Sequence, residues 1–325
     1  MPNFNYQKVC QDLISGLSPR QKDVILERFG LPGGERKTLE AVGKKFGVTR
    51  ERIRQIQDGA LGEIKSKAGA YKAIFQNFKK YFQNYGNLKK EDILLKDLGQ
   101  EKWQNQVYFL LSINNGFSRF GANKYFYPLW AAGASFPEKA QKIISLISRK
   151  LEEAKRPLSL KELADFSSQS ISALESYLEV SKKIQKNSEG VFGLKDWPEI
   201  NPRGVKDRAY LLFKKTQSPL HFTKVADMIE GSLVQTVHNE LIRDPRFILV
   251  GRGMYALREW GYEPGQVKDV ISRILKTEKK PLTREEILNK VLKQRMVKEN
   301  TVFLNLNNKK YFFRTPQGRY QIQEA

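Results

Sequence analysis

The sequence predicts a mainly α-helical chain with small β wings, in which a helix-turn-helix near the N-terminus is followed by tandem winged-helix domains. One observation is a set of glycine and apolar residues between positions 39 and 56 at helix-turn-helix spacing. Another is a unit that recurs at a fixed interval through the C-terminal half. Each unit also ends in two short apolar segments, and in the middle unit these flank a glycine turn, the pattern of a β-hairpin.

The net charge indicates the kind of partner. The 325 residues include 57 lysines and arginines against 35 acidic residues, a formal net charge of +22. An excess of this size favours polyanions, because a nucleic acid releases condensed counterions to a cationic surface. A solubilising surface or a ribosome-adjacent protein would be the alternative. The 40% of hydrophobic residues can fill the cores of two or more domains.

Other features of the composition exclude several classes of protein. Cys10 is the only cysteine, so an intrachain disulfide is impossible, and two histidines are too few for a Cys/His zinc site. We find no phosphate-binding loop and no Ser/His/Asp arrangement. No apolar stretch approaches the roughly 18 residues of a membrane helix, and no signal core is present. We therefore expect a cytoplasmic, nucleoid-associated protein that is not an enzyme and has no cofactor, metal, membrane or small-molecule partner.

Residues 18–67 predict a run of helices. The segment 18–21 supplies an N-cap serine, a proline at the first helical position and a capping-box glutamine. The segment 31–34, Leu-Pro-Gly-Gly, interrupts that helix. Thr38 can cap a second helix and Thr49 a third.

The spacing within this run meets the positional requirements of a helix-turn-helix. Counted from Leu39, Gly43 is the fifth residue, which must be small because it faces the crossing helix. Gly47 is the ninth and lies in the turn, where a positive φ costs glycine nothing. The apolar residues that fill the wedge between the helices are Leu39, Val42, Phe46, Val48, Ile53 and Ile56.

The second helix of the motif begins with polar side chains. Arg50, Glu51, Arg52, Arg54 and Gln55 lie at the end that enters the major groove in such motifs. Arginine pairs with guanine, glutamine with adenine, and glutamate accepts from cytosine N4. A solvated face of i,i+4 charge pairs is the alternative interpretation. The predicted DNA-binding set is completed by Thr38, Lys44, Lys45 and Thr49.

Residues 17–67 resemble region 4 of the primary-type bacterial sigma factors of the sigma-70 family. The resemblance rests on Arg-Phe-Gly-Leu at 28–31, Gly-Gly at 33–34 and Val-Thr-Arg-Glu-Arg-Ile-Arg-Gln-Ile at 48–56. In that family the region reads the −35 promoter element and docks on the flap of the RNA polymerase β subunit. The implied partners are therefore double-stranded promoter DNA and the RNA polymerase core.

The resemblance also implies roles for single residues. The positions of Arg50, Glu51 and Gln55 face bases, and those of Arg52 and Arg54 hold phosphates. In the family, segments that bind core polymerase and melt the −10 element precede region 4, and here only about 17 residues do. We therefore do not expect full sigma activity.

The C-terminal part of the chain is repetitive. Pro157, Pro219 and Pro281 stand 62 residues apart, each followed by leucine. A basic amphipathic helix precedes each proline, and a short helix follows it. In the first two units a third helix follows as well, and two apolar segments close the unit. Three helices and a hairpin predict a winged helix.

The middle unit, residues 204–262, resembles the HARE-type helix-turn-helix domain, which also forms the N-terminal part of the RNA polymerase delta subunit. The resemblance rests on helix order and on Leu-Arg-Glu-Trp at 257–260. It implies binding to DNA or to polymerase, and both remain open. Trp197 and Trp260 are predicted to be core residues at the base of each wing, and His221 is predicted to be a weak helix cap.

Residues 70–135 carry the weakest pattern. Tyr71, Phe75, Phe78 and Phe82 recur at helical spacing with lysines between them, which predicts a core stripe or, alternatively, a single-strand binding surface. We assign this segment to a helical linker module or a degenerate winged helix. The predicted domains are residues 1–69, 70–135, 136–200, 201–263 and 264–325.

Together these patterns predict a sequence-specific DNA-binding transcription factor that acts at initiation through its helix-turn-helix. One alternative is a delta-like accessory protein that binds RNA polymerase without reading DNA. Another is a DNA-binding accessory subunit of a restriction or modification system.

Overall fold

The computed structural model describes residues 4–31, 33–133 and 136–323. Within these ranges the chain is mainly α-helical with small antiparallel sheets, as the sequence predicts. It divides into two compact units, Met1–Asp196 and Trp197–Ala325. No helix in the described ranges is long and apolar enough to span a membrane.

Four helices form the N-terminal part of the first unit: α1 (Tyr6–Ile14), α2 (Pro19–Phe29), α3 (Leu39–Phe46) and α4 (Arg50–Lys67). The predicted capping box at α2 is present, since the Ser18 side chain accepts from the amide of Gln21 and the Gln21 side chain accepts from Ser18. Helix α2 ends at Phe29, two residues before the start of the predicted break. Gly30 closes it in the left-handed conformation that glycine adopts without strain.

The remaining chain repeats one order of elements: helix, strand or strand-like bridge, two helices, hairpin. The first segment consists of α5 (Lys72–Asn84), β1 (Leu88–Lys90), α6 (Glu91–Gly99), α7 (Gln104–Ile113), β2 (Phe117–Phe120) and β3 (Leu129–Ala132). The second consists of α8 (Phe136–Ala154), α9 (Leu160–Ser167), α10 (Ile171–Glu179), β4 (Ile184–Lys186) and β5 (Phe192–Leu194).

The second unit holds two more segments of this order. One consists of α11 (Gly204–Thr216), β6 (Leu220–His221), α12 (Phe222–Met228), α13 (Val234–Arg243), β7 (Phe247–Gly251) and β8 (Met254–Leu257). The other consists of α14 (Val267–Glu278), α15 (Arg284–Leu292), α16 (Glu299–Leu306), β9 (Phe312–Arg314) and β10 (Tyr320–Ile322). Helix α16 is a third helix that the sequence analysis did not identify.

The leucine after each repeated proline pairs with the hairpin of its segment. Leu220 pairs with Tyr255 of the hairpin, and Leu158 and Leu282 form single antiparallel bridges with Phe192 and Tyr320. In the first segment Leu88 takes the same place opposite Ala131. All four leucines are buried. Each short pairing therefore ties the hairpin to the helices, which a two-stranded hairpin alone could not do stably.

The structure also shows the predicted helix caps of the repeats and the position of Trp260. The capping boxes of Ser159 with Glu162 and of Thr283 with Glu286 are present. The His221 side chain caps α12 by accepting from the amide of Thr223. Trp260 is half-buried and packs against Phe213 in the core of its segment, at 6.2 Å between ring centroids.

One hydrophobic core runs through the first four helices and the segment that follows. Helix α7 contributes several buried side chains to this core. Its Phe109 packs edge-on against Phe29 of α2, with 5.1 Å between the ring centroids. The Gln106 side chain is buried and donates to the carbonyl of Leu31, and Asn105 donates to the carbonyl of Gly30. Residues 6–68 and 74–130 therefore share their core instead of being joined by a flexible connection.

Candidate nucleic-acid interface

The helix-turn-helix consists of α3, a short turn and α4. Val24, Val42 and Ile53 are fully buried between these helices and α2, and the four other predicted wedge residues pack around them. Gly47 has φ +66°, as the turn position requires. A Cβ on Gly43 would lie 2.7 Å from the carbonyl oxygen of Val48, so this glycine permits the close approach of the turn.

Two of the predicted site residues begin the helices. Thr38 caps α3 by accepting from the amide of Ala41, and Thr49 caps α4 by accepting from the amide of Arg52. Since each hydroxyl satisfies an amide that the helix leaves unpaired, both side chains fix where the helix starts. Their contact with DNA remains a prediction.

The N-terminal turns of α4 present the predicted reading residues to solvent. Arg50, Glu51, Arg52, Arg54 and Gln55 are all exposed, whereas Ile53 between them is fully buried. Further along α4, Ala60 and Ile64 are buried as well. The helix is thus anchored along one face and leaves its first two turns free to enter a groove.

Ion pairs distinguish the three arginines of this surface. Arg54 binds Glu51 and Asp58, each with 2.7 Å between nitrogen and oxygen. This hydrogen bond from Arg54 lowers the pKa of the Glu51 carboxyl, so Glu51 is a carboxylate near neutral pH. The Arg52 guanidinium donates to the neutral side chain of Gln55, at 3.3 Å, and has no ion pair with a described residue. Arg50 has no ion pair with a described residue. Among the three arginines, Arg54 is therefore the one whose charge is compensated by direct ion pairs.

The two predicted lysines of α3 differ. Lys45 pairs with Glu27 of α2, which Lys37 also binds, and these hydrogen bonds lower the pKa of the Glu27 carboxyl. Lys45 therefore also holds α3 against α2. Lys44 is exposed.

Two arginines that the sequence pattern did not indicate support the motif. The Arg20 guanidinium lies 4.4 Å from the ring centroid of Phe46 and donates to its carbonyl, which stabilises the end of α3. Arg28 is half-buried and donates to the Gln57 side chain of α4 and to the carbonyl of Lys37. Burial lowers the pKa of Arg28. No spacing rule in the sequence marks these contacts.

The third helices of the later segments carry different surfaces. In α10 the Tyr177 hydroxyl donates to the carbonyl of Gly86, 3.1 Å away. Glu179 pairs at 2.7 Å with Lys89 on β1, and Lys89 is 3% exposed. Helix α10 is therefore packed against β1 and the turn before it.

In the second unit, helix α13 starts with exposed apolar side chains. Leu233, the residue before its first turn, is 75% exposed, and Val234 is 42% exposed. Cationic side chains are absent from the first turns of α10 and α13. These helices therefore lack the arginine-rich start of α4.

Comparison with known proteins identifies similarity at this motif. Residues 13–66 match the family described as Sigma-70, region 4. Over 55 residues the chain is 51% identical to RNA polymerase sigma factor SigA1 of Synechococcus elongatus and also to RNA polymerase sigma factor SigA of a Bacillus species.

These 55 residues are 17% of this chain, and 14% and 15% of the two sigma factors. The chain thus spans about one seventh of the length of the curated relatives it matches. The similarity indicates a DNA-binding helix-turn-helix linked to transcription initiation. The predicted resemblance of the repeats to HARE-type domains and to the delta subunit stays a prediction.

Proposed function

We propose that this protein is a sequence-specific DNA-binding transcription factor that acts at initiation by placing the N-terminal turns of α4 in the major groove of −35-type promoter DNA. The observation that carries the proposal is the exposed set of Arg50, Glu51 and Gln55 on a helix whose other face is fully anchored. A rigid helix presents such side chains in one geometry, which base readout requires.

Each residue type has a role in this arrangement. Arg50 donates to guanine and Gln55 exchanges two hydrogen bonds with adenine. Glu51 accepts from cytosine N4, and its carboxylate also pairs with Arg54, three residues along the helix. Arg52 and Arg54 bind phosphates, with Arg54 partly neutralised by its two carboxylates.

For the repeated segments that contain α10 and α13, we propose contacts with protein, with RNA polymerase as the partner. The support is that α10 is packed inside its own unit and that α13 begins with exposed apolar residues. The apolar face of the first four helices is already covered by α7, so a polymerase contact would use surface outside that core.

The test is a salt-titrated binding measurement on a −35-type duplex and a scrambled duplex. It requires the full chain, since a fragment ending near residue 69 would expose the core shared with α7. We expect Arg50→Ala to cost about 1–3 kcal/mol on the −35-type duplex and little on the scrambled one. Arg52→Ala should weaken both duplexes alike and reduce the salt slope by about 0.9.

Lys96→Ala, an exposed lysine on α6, is the matched control and should change neither duplex. Equal binding of the two duplexes by the unaltered chain would contradict sequence reading by α4. If Arg50→Ala weakened both duplexes equally, Arg50 would be a phosphate contact and the assignment of its role would be wrong.

A further inference from the structure

A surface cleft of about 740 Å³ lies at the opposite end of α4 from the reading residues. Its walls come from the last turn of α4, from α5, and from the turn between α7 and β2. Its volume falls within the range of about 300–1,000 Å³ typical of ligand sites in proteins.

The charged side chains of this cleft are all positive. Lys65, Lys72 and Lys79 line it, and none of the described residues that line it is acidic. Lys72 and Lys79 are seven residues apart on α5, two helical turns, and therefore lie on the same face. The Lys65 ammonium donates to the Asn115 side chain across the cleft, at 3.1 Å.

The cleft also offers an aromatic surface and amide groups. Phe78 and Phe82 of the predicted stripe are fully buried, which confirms the core interpretation for them. Phe75 packs against the same core, but it is half-buried and also lines the cleft. Phe75 is held edge-on against Phe78 at 6.3 Å between centroids. The side chains of Asn87 and Asn115 can hydrogen-bond the edges of a base.

Lysines around an aromatic face match the chemistry of a single-stranded nucleic acid. Phosphates bind the cations, and an unstacked base packs on the ring, which a duplex with its bases stacked inside cannot do. From Arg50 to Lys65 the helix rises about 22 Å, so the cleft and the proposed reading residues lie at opposite ends of α4.

We propose that this cleft binds one strand of nucleic acid, with Lys65, Lys72 and Lys79 on phosphates and Phe75 against a base. The site is distinct from the proposed duplex-reading surface. Each can therefore fail without the other.

The experiment measures fluorescence anisotropy of the full chain with labelled thymidine and uridine oligomers of about twenty nucleotides. Lys72→Ala/Lys79→Ala should weaken single-strand binding about 25-fold at about 0.1 M salt and reduce the salt slope by about 1.4, since each lost phosphate contact removes about 0.7. Phe75→Leu should weaken it about tenfold through lost stacking.

The control Lys80→Ala/Lys96→Ala removes two exposed lysines that do not line the cleft and should leave single-strand affinity within about twofold. Arg50→Ala should leave single-strand binding unchanged, and the cleft variants should leave the preference between duplexes unchanged. The proposal is overturned if the control pair and the cleft pair lose equal affinity. It is also overturned if a polyglutamate peptide competes as well as the oligomers, because the cleft would then bind any polyanion.

Discussion

Helices α4 and α10 each follow a shorter helix across a turn, yet they present different side chains. The N-terminal turns of α4 expose three arginines, a glutamate and a glutamine. Helix α10 has no arginine or lysine, and it contributes Tyr177 and Glu179 to contacts with β1 and the turn before it. The difference is that the start of α4 leaves charged and polar side chains exposed, whereas α10 uses its polar side chains for contacts inside the first unit.

Among the tests of this difference, breaking the ion pair between Lys89 and Glu179 should change the free energy of unfolding most. Lys89→Ala should lower the free energy of unfolding of the first unit by about 3–5 kcal/mol, because it leaves a largely buried carboxylate without its partner. Burial already raises the pKa of the Glu179 carboxyl. Urea denaturation followed by tryptophan fluorescence measures the loss.

Lys183→Ala is the control for that substitution. Lys183 pairs with Glu152 at 3.3 Å, and both side chains are more than half exposed, so its loss should cost at most about 1 kcal/mol. If Lys89→Ala cost no more than this control, α10 would not be held by the buried pair.

Two glycines test how the helix-turn-helix positions α4. Gly43→Ala places a Cβ 2.7 Å from the carbonyl oxygen of Val48 and should destabilise the motif by about 1–3 kcal/mol. Gly59→Ala, inside α4, meets nothing within 4 Å and should stabilise it by about 1 kcal/mol. Thermal unfolding of the two variants should therefore shift in opposite directions. Stabilisation by both substitutions would show that the turn does not depend on a small residue at position 43.

Local signals in the sequence were sufficient for the helix-turn-helix. The caps at Ser18, Thr38 and Thr49, the turn at Gly47 and the wedge around Ile53 each depend on residues close in the chain. The repeated prolines likewise indicated the order of elements in the last three segments, apart from α16.

Contacts between distant residues were not predictable. The Tyr177 hydroxyl meets the carbonyl of Gly86 across 91 residues, and no periodicity encodes that choice of partner. The bridge between Leu158 and Phe192 was not predicted, because a single apolar residue after a proline does not show the alternating pattern of a strand. Helix α16 was missed because its buried positions are few, Val302 and Leu306 with Phe303 half-buried beside them.

The same limit applied to the candidate sites. The polar start of α4 was visible as five consecutive or nearly consecutive side chains. The cleft at its other end combines Lys65, Lys79 and Asn115 from three elements, so only the folded chain brings them together.

The most direct test of sequence reading by α4 is a double-mutant cycle on the full chain. It combines Arg50→Ala with a −35-type duplex in which the contacted guanine is replaced by 7-deazaguanine, which lacks the N7 acceptor. If Arg50 binds that base, the two changes should be non-additive by about 1–3 kcal/mol, because either one removes the same contact. Additive losses at every guanine of the element would show that Arg50 does not read a base, and would rule out sequence reading by this residue.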